Sequence, residues 1–363
     1  MADARLSITV DGRELAGKPT GVGRYVLEIL RAWEAARLPH RVTVILPATP
    51  DPAVVAALPN IQWHSEPARS AGTRWEQTRL PRLLAQTKPD VFLAPAYTAP
   101  LRLPCPMVVV IHDVSFFAHP EWFRRREGWR RRWLTRATSR RARAVVTVSD
   151  FARSEILKYL PVPRERIVLA PPGAPAPVAD APAERPPLLL YVGSLFNRRR
   201  IAEVIQGFAI AARQVPGARL VLVGDNRTSP PIDPRAIAAA AGVADLVDWR
   251  EYITDTARDE LYRRARGFVF LSDYEGFGIP PLEALAHGVA PVVLDTAVSR
   301  EIYGDGALRV RPEIDAIASG LVQVLTDEGL RDRLLVAGRR RLDAFSWTET
   351  ARTLRRTLEE AAR

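Results

Sequence analysis

Short runs of aliphatic and β-branched residues alternate with longer segments whose apolar positions recur at helical spacing, almost from end to end. Leu6–Asp11, Arg41–Leu46, Val91–Ala94, Met107–His112 and Ala144–Ser149 read as strands. Between them Arg24–Ala36, Arg74–Gln86, Trp122–Arg141 and Asp150–Tyr159 read as helices. The strands are apolar on both faces, which predicts a parallel sheet covered on both sides by helices. The alternation stops at Pro171–Pro187, where seven prolines and a glycine in 17 residues permit neither a ladder nor a helix.

It resumes with strands Leu188–Gly193, Arg219–Gly224, Leu246–Trp249, Gly267–Leu271, Ala290–Leu294 and Leu308–Val310. The helices interleaved with them are Arg199–Gln214, Pro234–Ala241, Thr256–Arg264 and Pro280–His287, and three more close the chain at Glu313–Leu325, Glu328–Ala344 and Trp347–Ala362. The pattern predicts an α/β protein of two Rossmann-like, doubly wound domains facing a cleft. An N-terminal domain over 1–172, a Pro-rich linker over 173–187 and a C-terminal domain over 188–345 follow, with the last helix in 346–363. Open parallel sheets bind ligands beyond the carboxyl ends of their strands, so the site is expected in the cleft.

Composition narrows the class. With 363 residues, 47% hydrophobic and 26% charged, the chain has ordinary globular composition and length enough for two cores. The net charge is +11, and of 52 basic residues only Lys18, Lys88 and Lys158 are lysines. Arginine suits bidentate pairing with phosphate and carboxylate, which makes an anionic partner plausible. A single cysteine, Cys105, excludes a disulfide framework and a Cys-rich metal centre. No apolar run approaches a spanning helix and the first residues lack a signal-peptide pattern. The expected location is cytoplasmic, with a peripheral position at the cytoplasmic membrane face left open.

The chemistry concentrates in Phe268–Val293. An apolar strand runs into the loop Tyr274-Glu-Gly-Phe-Gly278, then into a helix opened by Pro280-Pro281 and ended at Gly288. Proline inside the start and glycine past the end punctuate a helix correctly. Gly276 and Gly278 let backbone approach a ligand, and the helix start offers free N–H groups to an anion. Glu275 and Glu283, eight residues apart, supply acceptors for sugar hydroxyls on either side. A phosphate flanked by two hydroxyl-rich groups describes a nucleotide sugar.

This stretch resembles the E-x7-E signature of family 4 of the glycosyltransferases, retaining enzymes of GT-B fold. The resemblance implies that Glu283 binds the donor ribose and Glu275 the donor sugar, with Gly276, Phe277, Gly278 and Ile279 facing sugar and diphosphate. Other segments match in order. Gly17–Tyr25 stands where the family has its Gly-rich loop, implying donor contacts from Gly21 and Gly23. Trp75–Pro81 and Ile111–Trp122 resemble the mannosyl- and rhamnosyltransferase-like branch, and Val148–Glu155 resembles the last N-terminal strand–helix turn. Tyr191–Arg200 resembles the segment with the phosphate-binding cations. There the family's usual arginine is Ser194, and the later lysine is Arg199, with Arg198 and Arg200 as alternatives one residue either way.

By the same resemblance His112 lies near the donor sugar's primary hydroxyl, the turn at Tyr252-Ile253 meets the base, and the last helix braces the N-terminal domain. Asp113, Tyr25 and Tyr97 are the acceptor-side candidates. No two aspartates stand two residues apart, so the D-x-D metal motif of other glycosyltransferases is missing and metal-independent catalysis is expected, with no cofactor. The implied partners are a nucleotide sugar, GDP-mannose slightly favoured, and a glycan, lipid-linked or small-molecule acceptor. Transfer would proceed with the leaving phosphate taking the acceptor proton.

Two rival readings stand beside this one: a nucleotide-sugar 2-epimerase of the same fold, and a non-catalytic basic binding protein on a GT-B scaffold. Phe123–Arg143 adds a question of its own, with ten arginines, one glutamate, and Trp122, Trp129 and Trp133 at helical intervals. The favoured reading is a core-facing tryptophan stripe with a solvated arginine face; the alternative is contact with an anionic membrane. Nucleic acid is not an expected partner.

Overall fold

The computed structural model describes residues 5–17, 21–68, 72–178 and 184–363. The chain divides into two compact units, 1–173 together with 346–363, and 174–345. Residues 18–20 of the Gly17–Tyr25 segment, residues 69–71, residues 179–183 of the Pro-rich stretch and the first four residues lie outside the described residues.

The first unit holds a seven-stranded sheet of β1 (Ser7–Asp11), β2 (Arg41–Leu46), β3 (Ile61–Ser65), β4 (Val91–Ala94), β5 (Met107–Val110), β6 (Ala144–Thr147) and β7 (Ile167–Leu169), ordered β3-β2-β1-β4-β5-β6-β7. Every pairing is parallel. The central strands β1, β4 and β5 are buried at each position, which is why they read as unbroken apolar runs. Strand order reverses between β1 and β4, so the loops beyond their carboxyl ends diverge to opposite faces and leave a crevice.

The second unit repeats the scheme with β8 (Leu188–Val192), β9 (Arg219–Val223), β10 (Val247–Arg250), β11 (Gly267–Phe270), β12 (Ala290–Leu294) and β13 (Leu308–Val310). Their order is β10-β9-β8-β11-β12-β13, again parallel, with the reversal between β8 and β11. Its core is continuous from Leu188 to Leu334.

Several elements depart from expectation. The edge strands β3 and β7 are additional. The single helix expected over Arg74–Gln86 is two, Thr73–Thr78 and Leu80–Thr87, because Pro81 cannot continue a helix but fits the first turn of the next. A helix over Ala297–Tyr303 was not expected; Thr296 opens it with a reciprocal cap to Ser299. The Pro-rich stretch is not a free tether at its far end. Arg185 donates to the carbonyls of Ala265, His287 and Gly288, and the Val178 N–H to Ala286 O, so the second unit begins at Ala174.

The last helix, Trp347–Ala361, belongs to the first unit. The Trp33 indole donates to Ala351 O at 3.0 Å, and His40 Nε2 bonds Glu359 at 2.8 Å. Thr350 reaches Pro171 O. Leu354 and Leu358 are fully buried.

Candidate functional site

In the second unit, the loops after β8 and β11 emerge side by side at the reversal of strand order. The first, residues 193–200, begins at Gly193 with φ +142°, where a Cβ would stand 2.6 Å from Arg199 Nη1. Glycine there lets the guanidinium cross the strand end. Arg199 Nε then donates to Glu275 Oε1 at 3.0 Å and Nη1 to Ser194 O at 2.9 Å, over the Phe270 ring at 4.7 Å. Ser272 Oγ donates to the same Glu275 oxygen at 2.9 Å, and Arg198 Nε stands 3.6 Å from it. Burial works to raise the Glu275 pKa, but Arg199 and Arg198 overcome it and hold the carboxyl at about 2. Glu275 is therefore a carboxylate at any physiological pH, with Oε2 accepting from none of the described residues.

The three consecutive arginines divide their tasks. Arg199 is engaged as above, and Arg200 pairs with Asp273 at 2.7 Å and Glu203 at 3.1 Å. Arg198 lies over Phe196 at 4.4 Å, and its buried Nε has no hydrogen-bond partner. A buried guanidinium N–H without an acceptor is costly and rare. Ser194 offers its carbonyl to Arg199 and to the Tyr191 hydroxyl at 3.1 Å.

The second loop is held at successive residues. Phe277 is 5% exposed and packs edge-on against Phe345. Gly278 takes φ +87°, where a Cβ would fall 2.2 Å from the Tyr303 hydroxyl, and that hydroxyl donates to Gly278 O at 2.8 Å. Ile279 opens the helix Ile279–Ala286, and Gly276 is buried just before it. Glu283, 5% exposed in that helix, accepts from the Tyr262 hydroxyl at 3.0 Å. Tyr262 stacks on His287. Tyr252, 62% exposed, and Ile253, packed on the core, lie between β10 and the next helix.

In the first unit, His112 follows β5 by two residues. Its Nε2–H donates to Pro95 O at 2.9 Å, leaving Nδ1 as an acceptor without a partner among the described residues. Burial pushes its pKa below the usual 6.5 against Pro95 and Asp113, which pull the other way; the ring is neutral at pH 7. Asp113 accepts from Ser115 N at 2.8 Å and the Tyr97 hydroxyl at 3.1 Å. Tyr97 has φ +63°, a conformation that costs a bulky residue energy and accumulates at functional sites.

Two expectations need correction here. Tyr25 is 2% exposed, with its hydroxyl directed at Ala170 O, and its ring buttresses His112 edge-on at 5.0 Å. It supports the histidine rather than facing an acceptor. Gly21 and Gly23 are not in a loop: they form the first turn of the helix Gly21–Ala35.

Sequence reasoning missed two features. Tyr303 sits on the unexpected helix; its only signal was Thr296 three residues before Ser299. The other is a buried ion network at the end of β1. Arg13 pairs with Asp11 and Glu76 at 2.7 Å each, and Thr98 and Gln77 donate to Glu76. The signal was an aspartate ending an apolar strand and a glutamate within the Trp75–Pro81 motif.

Two open parallel sheets, one carrying a cluster of cations and carboxylates at its reversal point, are the architecture of GT-B glycosyltransferases. A family model described as "Glycosyltransferase Family 4" matches residues 19–176, and one described as "Glycosyl transferases group 1" matches 177–341. The chain belongs to the family 4 glycosyltransferases, in their mannosyltransferase-like branch. It is 27% identical to the O-antigen chain mannosyltransferase B of Escherichia coli, over 90% of this chain and 93% of that protein. Among solved structures it is similar to Anabaena HepE in complex with UDP and glucose, with TM-score 0.77 and 17% identity over 98% and 100% of the two chains. WaaG, a glycosyltransferase involved in lipopolysaccharide biosynthesis, follows with TM-score 0.76 and 19% identity over 97% and 99%.

Proposed function

We propose that this glycosyltransferase moves a hexosyl group from a nucleoside-diphosphate sugar to an acceptor hydroxyl, with retention of anomeric configuration and without a divalent metal. The observation that carries the reading is the cluster at the β8–β11 reversal. Arg198 and Arg199 there face one ionised glutamate, Arg200 is paired with Asp273, and of the three only Arg198 keeps a buried N–H without a hydrogen bond. Arg199 is occupied with Glu275 and Ser194, so the diphosphate role expected of Arg199 passes to Arg198. It replaces the cation that Ser194 does not supply.

The remaining roles are those that the family resemblance implies. Glu275 Oε2 accepts hydroxyls of the donor sugar, and Glu283 accepts the ribose hydroxyls, oriented by Tyr262. Neutral His112 offers Nδ1 to the sugar's primary hydroxyl, and Asp113 with Tyr97 serves the acceptor side. The anomeric C–O bond to phosphate breaks as the acceptor oxygen bonds the same carbon, and the departing phosphate oxygen takes the acceptor proton. Arginine and the positive end of the helix Ile279–Ala286, whose Pro280 and Pro281 carry no N–H, stabilise the charge that develops on that phosphate. HepE's complex with UDP and glucose supports a nucleotide-sugar ligand, and the mannosyltransferase relative favours GDP-mannose as donor and a glycan as acceptor.

The test is release of nucleoside diphosphate from GDP-mannose, UDP-glucose and dTDP-rhamnose in EDTA with a panel of mannoside acceptors. Turnover with GDP-mannose, and an α-linked product by proton NMR, is the expected result. A β-linked product from GDP-mannose contradicts retention, activity only on adding a divalent cation contradicts metal independence, and a C2-epimerised nucleotide sugar supports the epimerase.

A further inference from the structure

The helix Arg125–Arg141 contradicts the core-facing tryptophan stripe expected from its sequence. Its buried positions are Gly128, Leu134, Thr135, Thr138 and Ser139, a face of small residues with one leucine. Trp129 and Trp133 are instead 64% and 50% exposed. At about 3.6 residues per turn they lie one turn apart on the outward face, in line with Arg125, Arg126, Arg136 and Arg140. A bulky indole cannot pack where the helix meets the sheet through Gly128 and three hydroxyl residues, so the pair is turned outward.

The cations around the indoles are largely unspent. Arg131 pairs with Glu127 at 3.7 Å, Arg132 reaches Phe116 O, and Arg136 covers Phe117. Among the described residues the side chains of Arg124, Arg125, Arg126, Arg130, Arg140 and Arg141 make no ion pair. Beside Trp129 the surface opens into a hollow of about 910 Å³ walled by Pro120 and Phe123. An exposed indole pair within a field of unpaired guanidinium groups is at once apolar and strongly cationic. Water suits only the charges; a polyanion alone suits only the charges too.

We propose that this face docks on the surface of a bilayer containing anionic lipid, with Trp129 and Trp133 at headgroup depth and the flanking arginines on lipid phosphates. Indoles prefer that interface, and clustered basic residues are drawn to a negative surface. No helix among the described residues is long and apolar enough to cross a membrane, and the proposed contact lies at the bilayer surface. The proposal involves none of the residues assigned to the donor and stands or falls separately from them.

Co-sedimentation with vesicles tests it, using phosphatidylcholine alone and phosphatidylcholine mixed with phosphatidylglycerol. The whole chain should bind the anionic vesicles only, with a blue shift in tryptophan emission and release at high salt. Reversing both Arg125→Glu and Arg126→Glu should lower partitioning at least about 100-fold. Trp129→Ala with Trp133→Ala should abolish the blue shift and weaken binding, while Arg339→Glu with Arg340→Glu, exposed residues of the second unit, should leave binding intact. Unchanged melting temperatures and nucleotide binding would show that the helix variants fold. Three results overturn the proposal: no binding to anionic vesicles at low salt, equal loss in the Arg339–Arg340 control, or tighter binding to a single-stranded oligonucleotide than to vesicles.

Discussion

Arg199 and Glu275 have side chains only 11% and 13% exposed, and neither charge would be stable there without the other. Glu275→Gln keeps the shape and removes the charge, leaving a buried guanidinium unpaired. The variant should lose about 3 kcal/mol of stability in denaturant unfolding. The Glu275 carboxyl is held at about 2, below its usual value, so its contribution is complete above the usual carboxylate range and disappears as pH falls through about 2. Arg198→Ala should cost less stability, because no hydrogen bond of its Nε is lost, only its 3.6 Å ion pair with Glu275. The loss should be about 1 kcal/mol, while nucleoside-diphosphate affinity falls at least about tenfold, as expected for a charge-assisted bond. Equal unfolding of both variants, or unchanged affinity in Arg198→Ala, would refute this division between a structural and a ligand-facing arginine.

At the scale of elements, the start of the helix Ile279–Ala286 depends on the short helix Ala297–Tyr303. Gly278 supplies the left-handed turn and Tyr303 the hydrogen bond that fixes it. Gly278→Ala should cost about 1–3 kcal/mol from backbone strain alone, raise the donor KM, and show both in thermal unfolding and in initial rates; a wild-type melt with normal KM would show that the loop is not held this way. This dependence was not legible in the sequence. A seven-residue helix carries too few turns for apolar periodicity, and only its cap betrays it. The edge strands were hidden for a related reason: Ile61–Ser65 buries only its first residue fully, so neither an apolar run nor clean alternation marks it. The central strands were legible because burial on both faces leaves an unbroken apolar run. The outward face of Arg125–Arg141 was misread because spacing reveals which residues share a face but not which face meets the core.

Over the whole molecule, the same winding occurs twice, and each sheet reverses its order once. The two reversal points are equipped differently. The first carries the buried network of Asp11, Arg13 and Glu76; the second carries the arginine cluster, Glu275 and the helix bearing Glu283. Glu275 and Glu283 were legible because a signature embedded between strand and helix fixes their place. Which of three adjacent arginines keeps an N–H without a hydrogen bond was not, since it depends on partners distant in sequence, Glu275 and Asp273. A nucleoside diphosphate is therefore expected to bind the second unit at that cluster. The most direct measurement is calorimetric titration of the chain in EDTA with GDP, UDP, ADP, dTDP and CMP, repeated on Glu283→Ala. Saturable binding of one nucleoside diphosphate, GDP favoured, is expected at one site per chain, weakened at least about tenfold in Glu283→Ala by loss of a hydrogen-bond acceptor. Absence of binding by all five nucleotides, or binding that Glu283→Ala leaves unchanged, would contradict that expectation.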